Sequence, residues 1–187
     1  VLEFDEAKHI YSDNGAVLPS VTQILSILYD FSGISPATLE YARQRGTAVH
    51  KACEIFDNGG SFTAPLDEVI QPYFVAWVKF VVEKKVRITA TERRLRHQHM
   101  RYAGTFDAIG MIGDEEWLID RKCTSALSDV TGVQLAAYAA ILGRPLRRAA
   151  VQLKPDGTYV FQEYSGRSDW PTFVAAYTIF NWKENHK

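Results

Sequence analysis

The sequence predicts a single α/β domain, a central mixed β-sheet flanked by helices, with an N-terminal extension of hairpin and helix over residues 1 to 35. Three observations predict it. Residues 105 to 112 and 115 to 122 read as a hairpin around Gly113-Asp114, a two-residue turn signal. That hairpin is apolar on both faces: Phe106, Ala108, Trp117 and Ile119 alternate with Thr105, Ile109, Met111 and Leu118. A sheet covered on both sides has that pattern. Segments of helical period then precede and follow the strands, with no repeat, linker or low-complexity tract dividing residues 1 to 187.

Each element has its own signal. Residues 2 to 11 and 16 to 18 are expected to pair around Asp13-Asn14-Gly15. Pro19 and Ser20 lead into an apolar helix over residues 21 to 29. Ser35 is an N-cap with Pro36 at the first helical position, and Asn58-Gly59-Gly60 ends the helix near Asp57. A third helix is expected over residues 66 to 83, where Val69, Tyr73, Trp77 and Phe80 recur at helical spacing as core. Strands follow over 86 to 97, 102 to 112 and 115 to 122, then a helix over 129 to 142 that stops at Gly143. Lys154-Pro155-Asp156-Gly157 turns between strands 146 to 153 and 158 to 164, and the last helix covers 170 to 183.

Composition narrows the class. A chain of 187 residues with 47% hydrophobic content builds one good core. No apolar run approaches the ~20 residues of a membrane span, so a membrane partner is not expected. Cys53 and Cys123 lack metal-binding spacing, which makes a reducing cytoplasm the expected compartment. No secretory or transit segment opens the chain, but it starts at Val1, so a missing leader keeps an organelle open. Net charge is -1, so overall balance does not point to nucleic acid. The distribution says more: Lys84, Lys85, Arg87, Arg93, Arg94, Arg96 and Arg101 form one basic cluster, and Arg144, Arg147 and Arg148 another. Each either tracks phosphates or forms a solvated rim.

The chemistry concentrates in the hairpin. With the two-residue turn, Ile112 pairs with Glu115, and five pairs further on Asp107 faces Asp120. Facing aspartates destabilise a sheet unless a cation lies between them. Lys122 shares their face. A four-residue loop instead sets Asp107 opposite Lys122, and either an Asp–Lys ion pair or a metal site then accounts for the trio. His50 lies one helical turn from both Gly46 and Glu54 and is either a metal ligand or a packed imidazole. Glu54 either supports it or pairs with Lys51. Glu92, on the preceding strand, either joins the site or pairs with arginines at the surface. Gln134 and Tyr138 are one turn apart on an apolar helix and are expected to face the cleft, with Leu135, Ala139 and Leu142 turned to the sheet.

His50, then Gly104-Thr-Phe-Asp107, then Asp120-Arg-Lys122, then Gln134-Leu-Ala-Ala-Tyr138 resembles the RecB-like branch of the PD-(D/E)XK nuclease superfamily. The set spans residues 46 to 138, and Phe106 replaces the proline of the family name. The resemblance implies a restriction-endonuclease-like αβββαβ core and a metal-dependent deoxyribonuclease, most simply a stand-alone exonuclease of phage or mitochondrial type acting in recombination, repair or phage DNA processing. A non-catalytic DNA-binding module, or an endonuclease used in packaging or restriction, is the alternative. It implies His50, Asp107, Asp120 and the Arg121 carbonyl as ligands of Mg²⁺ or Mn²⁺, with Glu54 and Glu92 outside them. Lys122 would position or deprotonate the attacking water, and Gln134 and Tyr138 would support the site and contact DNA. Relatives with an iron–sulfur cluster use four cysteines, and this chain has two, so no cluster is expected. Implied partners are single- or double-stranded DNA, with a recombinase or single-strand-binding protein, in a bacterial or phage-infected cell.

Overall fold

Gly113 takes φ +61 and closes the turn that sets the register of the central sheet. In the computed structural model, which describes residues 1–6, 8–30 and 32–186, Ile112 pairs with Glu115 and the register holds to Ala108 with Ile119. Ala7, Phe31 and Lys187 lie outside the described residues. The two-residue turn is therefore the one that forms, and Asp107 and Asp120 stand one pair beyond the end of this ladder.

Three short strands come first: β1 (Leu2–Asp5), β2 (Ile10–Asp13) and β3 (Ala16–Leu18). The predicted first segment is thus split, because a turn with His9 at φ 53 folds it back on itself. Helix α1 (Val21–Leu25) follows, with Ser20 and Gln23 forming a reciprocal cap, and tightens into a 3₁₀ turn over Ser26–Leu28. Helix α2 (Pro36–Asp57) starts where predicted, Ser35 accepting the Thr38 N–H at 3.1 Å. Helix α3 (Gln71–Glu83) starts later than predicted. Pro72 is tolerated in the first turn but not deeper, so it sets the start of the helix.

The main sheet has five strands in the order β4 (Arg87–Arg96), β5 (Ala103–Ile112), β6 (Glu115–Lys122), β7 (Arg147–Leu153) and β8 (Tyr159–Glu163). Only β6 and β7 are parallel, with α4 (Val130–Leu142) as their crossover. Gly143 ends α4 in the left-handed region, as its position predicts. Helix α5 (Asp169–Glu184) closes the chain.

Side-chain alternation builds two cores. Leu118 and Ala150 face one way, onto Val21 and Ile24 of α1, Leu135 of α4 and Phe173 of α5. Trp117, Ile119, Ala149 and Val151 face the other way, onto Val49 and Cys53 of α2 and Trp77 and Phe80 of α3. The sheet is covered on both sides, as its double apolar pattern predicts. Helix α4 is apolar all round and buried from Thr131 to Tyr138. The N-terminal sheet docks through Tyr11, whose hydroxyl lies 2.8 Å from Thr105 Oγ1, and Arg96, 3.2 Å from Asp13.

Candidate metal centre

Where the β5–β6 ladder opens, the Arg121 N–H donates to Asp107 Oδ2 at 2.6 Å. The carboxylate thus takes the place of a strand carbonyl and is held rigidly at the sheet end. Helix α2 brings His50 over this opening. Its Nε2 lies 3.2 Å from the Arg121 carbonyl, and its Nδ1 lies 3.5 Å from both Asp107 Oδ1 and Glu92 Oε1. His50, Glu92 and Asp107 each offer a ligand atom within 4.8 Å of the others. One imidazole among a carbonyl and two carboxylates has more acceptors around it than protons to give. A hard cation satisfies such a donor set, with oxygen ligands and one nitrogen.

Of the predicted ligands, His50, Asp107 and the Arg121 carbonyl come together. Glu92, expected outside them, stands among them. Asp120 is buried nearby, but its carboxylate turns to Lys122, with Oδ2 2.9 Å from Nζ. Lys122 Nζ also donates to Gln134 Oε1 at 2.9 Å, and Gln134 Nε2 lies 3.4 Å from the Tyr138 hydroxyl. Gln134 therefore has the partner its apolar helix required, and that partner is Lys122. Both Gln134 and Tyr138 are buried, at 6% exposure each, so the expected cleft-facing pair is corrected: the Tyr138 ring is core. It packs so close to Gly104 that an added Cβ there would meet Tyr138 Cε1 at 2.5 Å. Glu54 pairs with Lys51 at 2.8 Å, the surface alternative.

The second arginine cluster is occupied within the fold. Arg144 pairs with Glu116, Arg147 with Glu115 and Glu163 while covering Trp117, and Arg148 with Asp169 at 3.0 Å. In the first cluster Arg94 lies over the Phe4 ring, 4.6 Å from its centre, and Arg93 and Arg101 are exposed.

What lies beneath the centre has no local signal along the chain. The Arg121 side chain is fully buried, ion-paired to an equally buried Asp57 at the end of α2. Its Nη1 reaches Glu92 Oε1 at 3.3 Å, and its guanidinium lies 4.3 Å from the centre of the Trp77 ring.

Electrostatics follow from this packing. Burial opposes charge on His50, but Asp107 and Glu92 outweigh it and hold the imidazole above its ordinary 6.5. Burial likewise opposes charge on Lys122, yet Asp120 and Asp107 keep the ammonium above its usual range. Burial pushes Asp120 up to about 6, against the pull of Lys122. A folded carboxyl titrating above its unfolded value near ~4 binds a proton that the unfolded chain releases. The metal-free protein is therefore expected to gain stability as pH falls from ~7 to ~5, and His50 acts in the same direction. Thermal melts in EDTA check this. A Tm that falls over that interval would contradict it.

No protein-family model matches the chain, and no curated protein matches it. Among solved structures, it is similar to LHK-Exo, an alkaline exonuclease from Laribacter hongkongensis, with 13% identity, a TM-score of 0.48, and 88% of this chain and 86% of that one covered. A structure of LHK-Exo in complex with dAMP is similar at 14% identity and a TM-score of 0.46, covering 89% and 87%.

Proposed function

We propose that this chain is a divalent-metal-dependent deoxyribonuclease that hydrolyses phosphodiester bonds, acting as an exonuclease. The observation that carries the reading is the convergence of His50, Glu92, Asp107 and the Arg121 carbonyl beside a buried Asp120–Lys122 pair braced by Gln134. These residues fit Mg²⁺ or Mn²⁺, and the ordered motifs from His50 to Tyr138 supply the link to DNA. A bound cation would lower the pKa of its water and offset charge on the phosphoryl oxygens.

The chain's own residues supply the rest. Asp107, locked by the Arg121 N–H, and His50, set by the Arg121 carbonyl, present ligand atoms without reorganisation. Lys122, held 2.9 Å from both Asp120 Oδ2 and Gln134 Oε1, would orient the attacking water and balance charge on the phosphate. Gln134 accepts from the Lys122 ammonium and braces it beside Asp120. The exposed Arg93 and Arg101 of the first cluster are open to DNA phosphates.

The test is hydrolysis of supercoiled plasmid and of end-labelled single- and double-stranded oligonucleotides. Cleavage is expected with Mg²⁺ or Mn²⁺ and none with EDTA. Mononucleotide release from ends supports the exonuclease mode, and plasmid nicking alone would replace it with an endonuclease. Undiminished hydrolysis in EDTA would overturn the metal reading, and DNA binding without hydrolysis under any cation would make the chain a binding module.

A further inference from the structure

We infer that the buried Asp57–Arg121 ion pair is a positioning device that aims Glu92 into the metal centre, an assignment resting on the metal-dependent reading above. A buried ion pair is poor evidence for stability, because desolvation offsets most of the attraction. This one lies directly under the candidate ligands. Arg121 Nη2 binds Asp57 Oδ2, and Nη1 binds Glu92 Oε1 at 3.3 Å. That Glu92 oxygen is the one that lies 3.5 Å from His50 Nδ1.

The backbone at Glu92 shows that something must hold it. Its φ is +47, inside a strand, in a region that side-chain-bearing residues seldom adopt. Such a conformation persists only where the surroundings impose it. The preceding residue is tied to the same pair: Thr91 Oγ1 lies 3.2 Å from Arg121 Nη2 and 3.2 Å from Asp57 Oδ2. The pair is itself locked. Trp77 Nε1 donates to Asp57 Oδ1 at 2.9 Å, and the Trp77 ring lies under the guanidinium.

Charge explains why a pair is needed. A lone guanidinium beside a cation site repels the cation. With the Asp57 carboxylate against it, Arg121 acts as an oriented donor whose charge is compensated. Alternation along β6 makes the arrangement possible: Asp120 and Lys122 point to one face, Arg121 to the other, and the Arg121 backbone carbonyl remains at the opening. Residue 121 thus serves the centre twice, through its carbonyl toward His50 and through its side chain toward Glu92.

The test is Mn²⁺ binding by calorimetry on the full chain. Arg121→Lys keeps a cation in the cavity but cannot bridge Asp57 and Glu92 as a fork does. Asp57→Leu with Arg121→Met replaces the pair by apolar side chains, an exchange that folds tolerate well. Both are expected to melt cooperatively like wild type while Mn²⁺ affinity falls about 10- to 100-fold. Glu92→Gln should lose a similar factor, and adding Arg121→Lys to it should lose little more, since the two act through one side chain. Wild-type affinity in either folded variant, or losses that simply multiply, would overturn the inference. A double variant that fails to fold leaves Arg121→Lys to decide it. Wild type that binds no Mn²⁺ would overturn the metal-centre reading and this inference with it.

Discussion

Replacing Lys122 with alanine is expected to lower DNA turnover by about 10²- to 10³-fold, the loss typical of one pre-placed electrostatic group. Divalent-metal binding should survive, because His50, Glu92, Asp107 and the Arg121 carbonyl are untouched. The size of the effect follows from how well the group is held. Its Nζ lies 2.9 Å from Asp120 Oδ2 and 2.9 Å from Gln134 Oε1, so little motion is needed to meet a substrate phosphate. The variant leaves Asp120 buried without its counter-ion, so turnover is measured in saturating metal and metal affinity by titrating the metal-free protein in calorimetry. A turnover within a few-fold of wild type would remove Lys122 from the chemistry. Loss of metal binding together with turnover would make it a structural partner of Asp120 instead.

Asp57→Asn should produce the largest loss of stability of any single polar change near the centre. The substitution keeps the shape and the Trp77 contact but leaves the Arg121 guanidinium buried without its counter-charge. Breaking a buried pair in this way costs roughly 3–5 kcal/mol. Glu92 stays 3.3 Å away and compensates in part, which favours the lower end of that range. For a chain of this size the drop corresponds to a Tm lower by about 6–12 °C. Urea unfolding with an unchanged m-value checks it. A loss below ~1 kcal/mol is what a solvated surface pair gives, and it would contradict the enclosed geometry.

Two kinds of information shape this chain, one local and one set by packing. Local chemistry was legible: Ser35 and Pro36 placed the start of α2, Gly143 the end of α4, and Gly113-Asp114 the hairpin turn, because caps and turns depend on a few neighbouring residues. The turn also set the register, which brought Asp107 and Asp120 to adjacent positions at one sheet end, and period-2 alternation placed Lys122 with Asp120. The double apolar face of the hairpin announced a sheet covered on both sides. Those signals determined the α/β class and set Asp107, Asp120 and Lys122 together at one sheet end.

What the sequence left open depends on contacts between distant segments. Glu92 entered the centre because β4 pairs with β5 across a loop whose register no local signal gives, and because its backbone turns to φ +47 there. The Arg121 carbonyl was expected at the centre, but its side chain looked ordinary between Asp120 and Lys122. Only the packing of α2 and α3 against that face of the sheet encloses its guanidinium with Asp57, 64 residues away, and the Trp77 ring. Tyr138 looked like a cleft residue, but its ring packs against Gly104 of β5 within the core shared with α1 and α5. The arginines at 144 to 148 read equally as a phosphate track or a solvated rim, and their ion pairs with Glu115, Glu116, Glu163 and Asp169 come only from strands and helices meeting. Alternation and capping act over a few residues and are written in order along the chain. Enclosure and ion pairing are set by which surfaces meet, and that is decided only when the layers pack.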